Sequence, residues 1–60
     1  DDGKELEKVV KKVISENSGV VEGIRKGDFK GINFLMGEIM KATNRRADYK
    51  FARAMLEKFL

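Results

Sequence analysis

Residues 27–43 read GDFKGINFLMGEIMKAT, and the spacing of apolar side chains within them decides the fold. Phe29, Ile32, Leu35, Met36, Ile39 and Met40 recur at steps that place them on one broad face of a helix. Gly27 supplies a residue able to take the left-handed conformation that commonly ends a helix, and Asp28 offers an N-cap for the next. The pair therefore marks a boundary, with a helix from about Phe29 to Ala42. Phe34 falls on the opposite side of this helix, which is expected to have neighbours on more than one side. Gly31 and Gly37 would each cost up to about 1 kcal/mol in a helix interior. The reading adopted is close packing at both, with fraying of the helix as the alternative.

Upstream, Leu6, Val9, Val10, Val13 and Ile14 form the apolar stripe of a helix from about Lys4 to Glu16. Glu5, Glu7, Lys8, Lys11 and Lys12 make its wet face. Asn17, Ser18 and Gly19 stop it and offer a cap for a short helix from about Ser18 to Lys26, where Val20, Val21 and Ile24 point inward. Downstream, Asn44-Arg45-Arg46-Ala47 is a polar turn. Asp48 reads as the N-cap of a last helix from about Tyr49 to Phe59, with Phe51, Ala52, Met55, Leu56 and Phe59 on its inner face. The expected fold is all-α: one compact small bundle of about four helices, two of them short, over residues 1–60.

Sixty residues without cysteine or histidine leave a thin core and no disulfide or ordinary zinc site to support it. No apolar run approaches the roughly 20 residues of a membrane span, and no leader resembles a signal peptide. The opening Asp1-Asp2-Gly3, without an initiating methionine, suggests a piece of a longer chain. A soluble cytoplasmic location is expected.

Catalysis is not expected within these residues. Histidine and cysteine are absent, and the glycines do not form a phosphate-binding loop. Most carboxylates sit beside lysines on exposed helix faces, and Glu38 reads as a surface or cap-contacting residue. Binding is better supported. The net charge of +3 splits into −2 over residues 1–24 and +5 over residues 25–60. Lys41, Asn44, Arg45, Arg46, Lys50 and Arg53 gather around the turn before the last helix, and Arg25, Lys26 and Lys30 flank Gly27. Arginine forks grip phosphate in two places, and Asn44 and Tyr49 add hydrogen bonding or stacking on ribose or a flipped base. On charge alone, an ordinary solvated surface accounts for the same counts. Lys41 suits a helix C-terminus and Arg53 can pair with Glu57.

The stretch Val13–Leu60 closely resembles the GatB/YqeY tail domain, the C-terminal helical tail of the B subunits of aspartyl/glutamyl-tRNA(Asn/Gln) amidotransferases. The residues carrying the likeness are Ile14-Ser15-Glu16-Asn17, Ile24-Arg25-Lys26-Gly27, Phe34-Leu35-Met36-Gly37-Glu38-Ile39-Met40-Lys41-Ala42-Thr43, Arg46-Ala47-Asp48 and Met55-Leu56-Glu57-Lys58-Phe59-Leu60.

The resemblance implies a part in indirect aminoacylation. The parent enzyme, a carbon–nitrogen ligase with glutamine as amido donor, converts Glu-tRNA(Gln) or Asp-tRNA(Asn) using ATP and Mg. That chemistry lies in a separate cradle domain and a glutaminase subunit. The helical tail reaches the tRNA body near its elbow, with subunits A and C as further partners. The resemblance therefore implies tRNA of the Gln or Asn type as partner, no cofactor within these residues, and no DNA or membrane. By position, Lys41, Arg45 and Arg46 lead the contacts.

The alternative is a YqeY-like protein-interaction module docking through leftover apolar side chains such as Phe34 and Tyr49. A helix-turn-helix DNA binder is weaker, because the last helix buries most of its residues. Four departures stand out: Ser18 and Tyr49 where the family often has proline, Asn33 in place of a common glycine, and Asn44-Arg45 in place of Lys-Gly. If the family turn needs a positive φ at that glycine, Arg45 is strained there or the turn is rebuilt.

Overall fold

The computed structural model of the chain describes residues 2–60, with side chains from Gly3 onward; Asp1 lies outside the described residues. Four helices follow one another: α1 (Asp2–Glu16), α2 (Ser18–Arg25), α3 (Lys30–Ala42) and α4 (Tyr49–Phe59). The all-α reading holds. Helix α1 starts two residues earlier than the sequence pattern suggested, α2 ends one residue sooner, and α3 begins one residue later.

The junctions explain these ends. Asn17 leaves the helical region with φ −130° and ψ 46°, and its carbonyl accepts from the Val21 amide to start α2. Its side chain does not cap α2 as expected. The amide group instead donates back to the Val13 carbonyl at 2.9 Å, closing α1.

At the end of α2, Gly27 takes φ 108°. The Gly27 amide donates to the Ile24 carbonyl at 3.0 Å, and the Asp28 amide to the Gly23 carbonyl at 2.9 Å. This pair of bonds is a Schellman stop. Because that motif consumes Asp28, the N-cap position of α3 passes to Phe29, which has no capping side chain. Asp28 still braces the turn by accepting from the Lys30 amide at 3.3 Å. Asp48 behaves as expected, accepting from the Phe51 amide at 3.1 Å.

The core is formed by Leu6, Val10 and Val13 of α1, Val21 and Ile24 of α2, Ile32, Leu35, Met36 and Ile39 of α3, and Ala52 and Leu56 of α4. Helices α1 and α3 pack on each other and on both remaining helices, while α2 and α4 do not pack on each other among the described residues. Ala52, at 0% exposure, lets α4 lie close to its neighbours. Phe59 closes one edge, with the Lys11 and Lys58 ammonium groups 5.0 and 5.7 Å from its ring centre. Every buried side-chain nitrogen or oxygen among the described residues has a partner. The bundle measures 33 × 17 × 15 Å, and none of the described helices is long and apolar enough to cross a membrane.

Three expectations about packing need correction. Phe29 is 67% exposed, at the N-cap position just before the first residue of α3. Phe51 is 54% exposed, since it lies about 100° around the helix from Ala52, at the rim of the apolar stripe. Helix α3 does pack on three helices, α1, α2 and α4, but Phe34 is left 51% exposed between them. Of the two glycines, only Gly31 is closely packed: a Cβ there would lie 2.7 Å from Val20 Cγ1 and 3.0 Å from Ile24 Cγ1. At Gly37 a Cβ would meet nothing within 4 Å.

Candidate nucleic-acid interface

The basic turn between α3 and α4 is tightly built. The Thr43 hydroxyl donates to the Ile39 carbonyl at 3.0 Å and the Met40 carbonyl at 3.2 Å. The Asn44 amide donates to the Lys41 carbonyl at 3.1 Å and the Arg45 amide to the Met40 carbonyl at 2.7 Å, which makes a second Schellman stop. Arg46 returns its amide to the Thr43 carbonyl at 3.0 Å, and Asp48 then caps α4. The chain achieves this stop without glycine: Asn44 has φ 54° and Arg45 φ 59°. Asparagine tolerates that region, whereas arginine is strained in it. The turn thus holds Arg45 in place at a conformational cost.

The nine candidate residues do not form one cluster. Lys41, in the last turn of α3, and Arg45 line a groove with Asn33, Met36, Gly37, Met40 and Tyr49. Arg46 lines a different groove, against α1, with Glu5, Leu6, Val9, Thr43 and Phe51. Asn44 and Lys50 are exposed. Arg53 Nε lies 3.2 Å from Glu57 Oε2, the intrahelical pairing its spacing allowed. Such exposed pairs are weak and exchange readily, so Arg53 is engaged but not sequestered.

Around Gly27, Lys26 Nζ sits 3.4 Å from Glu22 Oε1. Arg25 Nε donates to the Leu60 carbonyl at 3.1 Å, tying α2 to the residue that follows α4. Lys30 is exposed at the first residue of α3. Lys30, Phe34, Gly37 and Lys41 follow one another at helical spacing along an exposed stripe of α3. By helix rise, that stripe runs about 16 Å. It therefore joins the two basic patches that sequence reasoning kept apart.

Four of the surface grooves differ in charge. Beside Arg46 lies Glu5; a third groove holds Glu7 and Lys58; a fourth holds Lys12, Glu16, Glu38 and Lys41. The groove of Lys41, Arg45 and Tyr49 has two cations and no carboxylate in its lining. Neither cation makes an ion pair among the described residues. Asn33, Gly37 and Met40 were not singled out as site residues. The spacing of Lys30, Phe34, Gly37 and Lys41 was the available signal.

Residues 1–60, the whole chain, match the family described as the GatB domain. The chain belongs to that family. The domain is 40% identical over 59 residues, 98% of its length, to the B subunit of the aspartyl/glutamyl-tRNA(Asn/Gln) amidotransferase of Caldanaerobacter subterraneus subsp. tengcongensis, of which it spans 12%. It is 50% identical over 48 residues, 80% of its length, to the B subunit of the same name from Methanoregula boonei, spanning 10% of that protein. A third such B subunit, from Lactobacillus acidophilus, is 40% identical over 55 residues, 92% of the GatB domain and 12% of the relative. No solved structure matches the chain. Among the described residues no group of three or more Asp, Glu, His or Cys could hold a metal ion.

Proposed function

We propose that this GatB domain is a tRNA-gripping tail of an aspartyl/glutamyl-tRNA(Asn/Gln) amidotransferase B subunit, positioning the tRNA body while chemistry proceeds elsewhere in the enzyme. The observation that carries the reading is the carboxylate-free groove, where Lys41 and Arg45 stand beside the half-exposed Tyr49. Two cations that form no ion pair among the described residues attract phosphate, and arginine adds a planar fork that can hold it in two places. In this reading the chain is one piece of a longer polypeptide acting in the cytoplasm with subunits A and C. ATP and Mg belong to other parts of that assembly. Arg46, Lys30, Lys50 and Asn44 add longer-range attraction, while Arg25, Lys26 and Arg53 are partly engaged within the fold.

A titration of the chain with folded tRNA(Gln), tRNA(Asn) and duplex DNA at two salt concentrations tests this. Tighter binding to tRNA is expected, with a logarithmic salt slope of roughly 0.7 to 0.9 per phosphate contact. Lys41→Glu/Arg45→Glu abolishes the preference. Equal weak binding to all three polyanions, unmoved by the double variant, would sink the reading. It would favour the YqeY-like protein-interaction module, for which the exposed Phe29, Phe34 and Phe51 are the supporting observation.

A further inference from the structure

The groove between α3 and the first turn of α4 contains more than a phosphate grip requires. A Cβ at Gly37 would meet nothing within 4 Å, so packing inside this chain does not call for a glycine there. Glycine is nevertheless an unfavourable choice within a helix. Its effect is to leave bare backbone on the groove floor. Tyr49, 46% exposed, stands in the lining as an aromatic surface. Asn33 adds an amide that can donate and accept, and Lys41 and Arg45 add the two cations.

An aromatic side chain, bare backbone at Gly37, an amide and cations match the parts of one nucleotide: a planar base, its polar edge and its phosphate. A paired RNA helix cannot use the aromatic face, because its bases are stacked on one another and it offers side chains mainly phosphates and 2′-hydroxyls.

Building on the tRNA reading, we infer that this groove takes a single unpaired nucleotide of the RNA. Its base stacks on Tyr49 over the Gly37 backbone, and its phosphate lies between Lys41 and Arg45. The groove then recognises a loop or an extruded base rather than a duplex stem.

The test measures binding of folded tRNA, and of a fully paired RNA duplex, to the parent chain and to Tyr49→Ala, Tyr49→Phe, Gly37→Leu and Lys41→Glu/Arg45→Glu. Circular dichroism confirms each fold; the Gly37→Leu Cβ enters open space and improves helix propensity. Tyr49→Ala and Gly37→Leu should each weaken tRNA binding roughly 5- to 150-fold, the range for loss of one base stack. They should leave the salt slope and duplex binding unchanged, and Tyr49→Phe should bind as the parent does. If the charge reversal abolishes tRNA binding while Tyr49→Ala and Gly37→Leu have no effect, the tRNA grip stands and the nucleotide site is overturned. If the parent chain binds tRNA no better than duplex RNA and the charge reversal changes nothing, the tRNA reading fails and takes the site with it. Binding of free adenosine monophosphate, lost in both groove variants while tRNA binding is unmoved, also overturns it.

Discussion

Replacing Arg45 by glycine should make the domain more stable and its grip on tRNA weaker. Arg45 sits at φ 59°, immediately after Asn44 at φ 54°, in the Schellman stop that ends α3. A non-glycine residue in the left-handed region carries roughly 1–2 kcal/mol of steric cost. Glycine relieves that cost but enlarges the freedom of the unfolded chain, worth about 0.4–1 kcal/mol in the other direction. The net expectation is a gain of about 0.5–1 kcal/mol. In a chain of this size that corresponds to roughly 2–8 °C in Tm. The guanidinium forms no ion pair among the described residues, so its removal takes little from the fold.

Thermal and urea unfolding followed by circular dichroism at 222 nm read the stability of the parent, Arg45→Gly and Arg45→Ala. Alanine keeps the steric cost and loses the charge, so it should not gain stability. In tRNA titrations, both variants should lose a salt slope of roughly 0.7–0.9, one phosphate contact. A glycine variant that melts at or below the alanine variant would show that Arg45 is not strained, and the account of this turn would be wrong.

Gly31→Ala and Gly37→Ala should diverge although both sit inside α3. At Gly31 the added methyl meets Val20 at 2.7 Å, and overpacking costs about 1–3 kcal/mol, more than helix propensity restores. At Gly37 it meets nothing, and the variant gains up to about 1 kcal/mol; equal melting shifts for the two would contradict the packing described. Leu35→Ala, at a completely enclosed position, should cost about 2–5 kcal/mol and leave the helices largely unfolded at 37 °C, since a core of this size supplies only about 3–5 kcal/mol. A cooperative melt close to the parent's would refute the core assignment.

The elements were legible because their signals were local. The period of Leu35, Met36 and Ile39, the stop at Gly27 and the cap at Asp48 are each decided by a few neighbouring residues. What was not legible depends on three-dimensional phase. Phe29 and Phe51 are apolar and adjacent to true core positions, yet one lies just outside its helix and the other at a stripe edge. Sequence alone could not tell Gly31 from Gly37, because the difference is whether α2 passes overhead. The candidate site was legible as a region, but its division was not. Arg45 and Arg46 are adjacent in sequence and line different grooves, since a turn with two successive positive φ values points them apart. The Asp28 cap failed for a related reason, because the Schellman stop at Gly27 had already engaged its backbone.

Natural sequences are expected to agree with their folds at each local choice, and departures concentrate where something other than folding is selected. In this domain the departures can be sorted. Gly31 costs helix propensity, but the side chains of Val20 and Ile24 occupy the space a methyl would need, so the fold itself explains it. Gly37 has no such neighbour, Arg45 occupies a backbone region that glycine fits better, and Tyr49 presents an aromatic ring to solvent. Nothing in the packing of the four helices calls for any of these three. They come from different elements, the middle of α3, the turn after it and the start of α4, yet they line the same groove. The exposed Phe29, Phe34 and Phe51 do not converge in that way, since none of them joins that lining. Independent local costs meeting at one carboxylate-free surface are therefore better explained by what that groove binds than by how the bundle folds.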